Sequence, residues 1–97
     1  MFNSLFDAVN DATEAADLKF RADVMITLRK MFEDRGWKQS EIADALSIPQ
    51  PRVSDLMRGK IDRFSSDKLI GFLAKMDVRL KPSFVDHKVI CDVEGAA

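Results

Sequence analysis

Two prolines, Pro49 and Pro51, constrain the middle of this chain more than any other feature. Ahead of them, Glu41 to Leu46 places Ile42, Ala43 and Leu46 on one helical face. Behind them, Val53, Leu56 and Met57 repeat the i, i+3, i+4 spacing. Pro49 disfavours helical backbone in the residue before it, so the first helix ends at or before Ile48. Pro51 has no N–H and is tolerated only in the opening turn of a helix, so the second helix starts near Gln50. Gly59 follows the last periodic residue and suits a left-handed cap. Two helices this short cannot bury themselves. Trp37 to Lys60 therefore reads as the centre of a small bundle that presents its second helix, Gln50 to Arg58, outward. The alternative is a helical hairpin used only for packing.

The flanks supply the rest of such a bundle. Met1 to Asn10 is mixed, with Leu5, Phe6 and Val9 able to form one apolar turn or to stay loose. Asp11, with Glu14 three residues on, resembles a capping box that starts a helix at Ala12. No Gly or Pro interrupts the chain from there to Arg35. Leu18, Ala22, Met25, Leu28 and Phe32 form a helical stripe that Val24 and Met31 widen. A helix of about 24 residues is roughly 36 Å long, so its first turns should project from the body or pack on a second copy. Gly36 ends it, and Trp37 packs beneath the next helix. After Gly59, Ser65 or Ser66 can cap a further helix, with Leu69, Ile70, Phe72, Leu73 and Met76 on its apolar side and an end near Asp77.

Beyond Asp77 the period changes from 3.6 to 2. Val78 and Leu80 alternate with Arg79 and Lys81, and Pro82 stops or edges the strand. Val89, Cys91 and Val93 alternate with Lys88, Ile90, Asp92 and Glu94, which makes a hairpin with its loop around Asp86 and His87. A lone hairpin is marginal in water and needs a partner surface. Residues 95–97 should fray. The expected division is an N-terminal segment at 1–11, a helical bundle at 12–77 and a C-terminal hairpin at 78–97 that is a candidate dimerisation element.

Composition narrows the class of function. At 97 residues, 46% hydrophobic and 32% charged, the chain suits one small domain with a modest core. It has no apolar run of transmembrane length and no signal-peptide pattern, so a soluble, cytoplasmic protein that does not engage a membrane is expected. The single cysteine, Cys91, fits a reducing compartment. In an apolar alternation it reads as a small core residue rather than a nucleophile. His87 is the only histidine and falls in a turn. There is no CxxC, HExxH or Gly-rich phosphate loop, so neither an enzyme nor a metal or other cofactor is expected. The acids Asp7, Asp11, Glu14 and Asp17 read as a solvated helix face.

The net charge is −1, but its distribution is uneven. Met1 to Leu28 carries two basic and five acidic residues, Arg29 to Arg63 eight and six, and the remainder five and five. The positive excess falls on the central helix pair, where Arg52, Arg58, Lys60 and Arg63 stand against Asp55 and Asp62. With a helix pair around them, these cations read as a phosphate-facing rim.

From Gly36 to Phe64, about a third of the chain, the sequence resembles the helix-turn-helix of the XRE/Cro-like repressor family. The resemblance implies a mainly α fold: a lambda-repressor-like helix-turn-helix bundle, here with a small C-terminal β-hairpin. It also implies that Gln39 opens the first short helix and touches a DNA phosphate. Ala43 is then the close-packing position, Ile48 fills the turn, and Val53 and Leu56 anchor the recognition helix. The tail Leu56-Met57-Arg58-Gly59-Lys60 is similar to the family's backbone-contacting end. Two departures stand out: Ser47 where the family usually has Gly, and Pro49 where it usually has a Ser or Thr cap.

On this reading Gln50 pairs with adenine and Arg52 with guanine, while Asp55 accepts from cytosine or orients Arg52. Gln39, Ser54, Arg58 and Lys60 hold phosphates and set the register. One such module grips few base pairs, so a homodimer on a two-fold double-stranded operator is expected, acting as a transcriptional repressor. Small members of this family also serve as HigA-like antitoxins, which gives an alternative: an antitoxin that binds a basic toxin protein and autoregulates its operon. A third reading is a protein-interaction module that has lost DNA binding.

Overall fold

The computed structural model describes residues 2–95, with side chains from residue 11 onward. Helix α1 spans Phe2–Arg35, α2 Gln39–Leu46, α3 Gln50–Met57 and α4 Ser66–Lys75. A short 3-10 turn, Ile61–Arg63, joins α3 to α4. Strands β1, Arg79–Val85, and β2, Lys88–Glu94, close the chain as an antiparallel hairpin. The chain is therefore mainly helical with a C-terminal two-stranded hairpin, as its periodicities imply. Residues 96 and 97 of the expected frayed end, and the side chains of Leu5, Phe6 and Val9, lie outside the described residues.

The core is built by the helices and the residues that flank them. Val24, Met25, Leu28 and Phe32 of α1 meet Ile42, Ala43 and Leu46 of α2 and Val53 and Leu56 of α3. Phe64 and α4's Leu69, Phe72 and Leu73, with Met76 just beyond, complete it. Phe64 meets Phe72 edge to face, and Trp37 stacks on Phe32 at 5.9 Å. No polar or charged side chain is buried among the described residues. Two expected core positions are exposed instead, Leu18 at 46% and Ile70 at 47%. Leu18 lies ahead of Val24, where the buried stripe of α1 begins. Ile70 borders a surface groove beside Ala74, Val78 and Leu80 rather than entering the core.

Helix α1 begins well ahead of Ala12. The capping box expected at Asp11 is not a helix start, because Asp11 lies inside continuous helix. At 34 residues, α1 has a length of about 51 Å, which matches the molecule's longest dimension of 51 Å. The body is tied to α1 through Arg21. Its Nη1 donates to the carbonyls of Ile61 (3.0 Å) and Phe64 (3.4 Å). Its Nε lies 2.9 Å from Asp17 Oδ2, an ion-pair contact off the line of the N–H. Ser66 Oγ donates to the other oxygen of Asp17. One arginine thus satisfies two carbonyls around the 3-10 turn and holds the carboxylate that docks the start of α4.

Each α-helix ends with a left-handed residue and the same pair of hydrogen bonds. In α1 the N–H groups of Gly36 and Trp37 donate to Glu33 and Phe32. In α2 those of Ser47 and Ile48 donate to Asp44 and Ala43. In α3 those of Gly59 and Lys60 donate to Leu56 and Asp55. In α4 those of Asp77 and Val78 donate to Ala74 and Leu73. The left-handed residues have φ of 65° at Gly36, 56° at Ser47, 72° at Gly59 and 60° at Asp77. A Cβ at Gly36 or Gly59 would meet nothing within 4 Å. Glycine therefore supplies backbone freedom there, not room.

In the hairpin, Val85 faces Lys88 across a two-residue turn whose residues, Asp86 and His87, both have positive φ (52° and 64°). That is the type I′ geometry whose twist suits a hairpin. Of the two outcomes expected at Pro82, it edges β1 rather than stopping it. It pairs with Cys91 inside the strand. Counting from the turn, Val85–Lys88 is a hydrogen-bonded pair and alternate pairs are not. Pro82 therefore stands where a backbone N–H would point away from β2, and its missing donor is not needed. Cys91, read from the sequence as a core residue, is exposed, because only the base of the hairpin reaches the bundle.

Candidate nucleic-acid interface

Helix α3 is positioned by its two buried anchors, Val53 and Leu56. They turn Gln50, Pro51 and Arg58 to the exposed side, with Arg52, Ser54 and Asp55 half-buried at the margin. Its start is set by Pro49, which has extended backbone (φ −65°, ψ 151°) and offers no side-chain cap. The Pro49 carbonyl instead accepts from the N–H groups of Arg52 (3.0 Å) and Val53 (3.2 Å). The turn before it works with Ser47 in the left-handed conformation that glycine adopts at least cost.

Helix α2 begins at Gln39, and Lys38 N–H donates to Glu41 Oε1 at 3.1 Å. The far end of α2 has a support that the sequence did not suggest: Lys75 of α4 donates from Nζ to the Leu46 carbonyl at 2.7 Å. A cation on a C-terminal carbonyl that the left-handed cap does not reach is favourable both as a hydrogen bond and against the helix dipole. It fixes α2, and so the turn into α3, to α4.

The charged groups fall into two arrangements. The Arg52 guanidinium lies 5.9 Å from the centre of the Phe64 ring, a cation–π contact that lays the side chain along the edge of α3. At the other end, Asp55 is shared by Lys60 (3.5 Å) and Arg63 (3.7 Å). Among the described residues Asp55 makes no ion pair with Arg52, so the expectation that it orients Arg52 is corrected: the carboxylate faces the 3-10 turn. Arg63 thereby joins Lys60 and exposed Arg58 in one cationic rim beside the end of α3. The charge distribution along the sequence already puts Arg63 in a phosphate-facing rim, but its pairing with Asp55 is not legible there. Its spacing from Asp55 crosses a helix end and a turn, where helical periodicity carries no information. Gln39 is exposed at the start of α2.

Among the described residues there is no group of three or more His, Cys, Asp or Glu side chains that could hold a metal ion. Among the same residues no helix is long and apolar enough to cross a membrane. A comparison with curated proteins finds no match. A family model described as a helix-turn-helix domain matches residues 8–82, from α1 into β1. With α2, the Ser47–Pro49 turn and outward-facing α3 inside that span, the chain belongs to the helix-turn-helix domain family, a fold used for DNA binding.

Proposed function

We propose that this chain is a sequence-specific double-stranded DNA-binding repressor of the XRE/Cro-like branch, acting as a homodimer on a two-fold operator, its own promoter included. The observation that carries the reading is the division of α3. Val53 and Leu56 are buried, while Gln50 and Arg58 are exposed and Arg52 lies half-buried at the margin, next to a cationic rim. In the major groove, Gln50 and Arg52 are long enough to pair bidentately with adenine and guanine. Ser54, Arg58, Lys60 and Gln39 are spaced along the flanks to meet phosphates. Asp55, held between Lys60 and Arg63, is the least free of the base-reading candidates.

The test is a footprint on DNA upstream of the chain's own gene, with competition by random duplex. A protected two-fold site that resists random competitor is the expected result. Binding that random duplex competes away equally well would remove the repressor reading.

The antitoxin alternative is favoured by one feature. Residues 11–16 of α1 are all exposed and include Asp11 and Glu14, an acidic stretch suited to a basic partner. A stable complex with a basic protein encoded beside this gene would support that role without displacing DNA binding.

A further inference from the structure

The hairpin has two outer edges, and they differ. On β1 the outward-facing backbone groups belong to Leu80, Pro82 and Phe84, the members of the pairs that do not bond across the hairpin. Pro82 has no N–H and blunts that edge. On β2 the outward groups belong to Val89, Cys91 and Val93, and no proline interrupts them. The same three side chains lie with Leu80, Pro82 and Phe84 on one apolar face. Phe84 is 69% exposed, Val89 79% and Val93 66%. At the base of this face, Leu80, Cys91 and Val93 overlook a groove of about 300 Å³ walled by Phe20, Val24 and Leu73.

The β2 sequence is complementary to itself. When two copies run antiparallel about a two-fold axis at Cys91, all seven residues of each strand pair. Lys88 then faces Glu94 of the second copy, twice by symmetry. Val89 faces Val93, and Cys91 faces Cys91. The outward donors and acceptors of Val89, Cys91 and Val93 meet their counterparts, as the ladder requires. Moving the axis to Ile90 runs the ladder into the Asp86–His87 turn. Moving it to Asp92 sets two Asp92 carboxylates opposite each other. Charge, register and the open edge select the same arrangement.

Resting on the repressor reading above, which requires two copies, we propose that the second copy joins edge to edge through β2, centred on Cys91. The product is a four-stranded antiparallel sheet with one continuous apolar face. The two-fold axis places both copies' α1 helices on that face. Glu94, 3.7 Å from Lys81 in its own hairpin, then lies between Lys81 and Lys88 of the second copy.

Sedimentation of the full chain tests this with two kinds of variant. Cys91→Pro removes an outward N–H and repeats what Pro82 does across the pair, without touching the β1–β2 bonds. It should weaken dimerisation at least tenfold, whereas Cys91→Ser should leave it unchanged. Lys88→Glu sets Glu opposite Glu94, and Glu94→Lys sets Lys opposite Lys88. Each should dimerise poorly alone, and an equimolar mixture should recover the dimer because both facing pairs become opposite in charge.

A wild-type chain that is monomeric at micromolar concentration overturns the proposal. So does a Cys91→Pro dimer as tight as the wild type, or a mixture no tighter than its components. DNA binding is read separately on the wild type. A dimer that obeys these rules but binds no operator removes the repressor reading and keeps the interface. An operator-binding dimer indifferent to Cys91→Pro does the reverse.

Discussion

Arg52 and Lys60 carry the same charge, yet the proposed reading gives it different ends at the two positions. Arg52 rests along Phe64 near the start of α3, where, on the proposed reading, a side chain reaches base edges. Lys60 stands past the end of α3, beside Asp55. Arg52→Ala is expected to cost about 1–3 kcal/mol at one operator position and relax preference there. Lys60→Ala should weaken all duplexes alike and flatten the salt dependence. Equal losses on operator and random DNA from both variants would show the roles to be misassigned. Asp55 gives a sharper test because its two readings predict opposite signs. If it holds Lys60 and Arg63 away from phosphate, Asp55→Asn should tighten binding to every duplex. The log–log salt slope should then steepen by about 0.9 for each additional phosphate neutralised. If it reads cytosine, the same substitution should weaken the operator alone, so titrations at several salt concentrations decide between them. Little of this pairing was legible in the sequence. Val53 and Leu56 follow from helical period, but the partners of Asp55 and the reach of Lys75 to Leu46 depend on how separate elements meet.

At the scale of elements, the matching helix ends separate what sequence shows from what it hides. Gly36 and Gly59 announce left-handed ends, whereas Ser47 and Asp77 adopt the same backbone without glycine. A left-handed non-glycine residue costs about 1–2 kcal/mol, while glycine loses about 0.4–1 kcal/mol through the freer unfolded chain. The difference favours Ser47→Gly by about 0.5–1 kcal/mol, a rise of several degrees in melting temperature for a domain of this size. A lower midpoint in urea would mean that Ser47 contributes something its backbone does not account for. The start of α1 was misplaced because Asp11 and Glu14 fit a cap pattern, and helix can run through such a pair when nothing upstream breaks it. The hairpin was legible down to its turn, since period 2 and Asp86–His87 are local signals. The course of β1 through Pro82 was not, because the outcome turns on which way one N–H would point, and register settles that.

For the whole molecule, the decisive fact is that every buried hydrophobic side chain among the described residues belongs to the helices and the connections between them. Hairpin residues contribute only the half-buried Leu80 to that core. Removing residues 82–97 keeps Leu80 and should leave a helical bundle that still melts cooperatively. What it removes is the β2 edge and most of the exposed apolar face. The full chain, as a dimer, should melt at a temperature that rises with concentration, because association stabilises the folded state by mass action. The truncated chain should melt at one temperature whatever its concentration. On DNA it should keep half-site contacts and lose the advantage of two linked half-sites, about 10²-fold or more on the full operator. Single half-site affinity should change little. Three outcomes are distinguishable by calorimetry and titration on whole and half operators. A truncated chain that unfolds makes the hairpin part of the fold. One that still dimerises moves the interface to the helices. One that binds the whole operator as tightly as the full chain shows that a single copy suffices to read it.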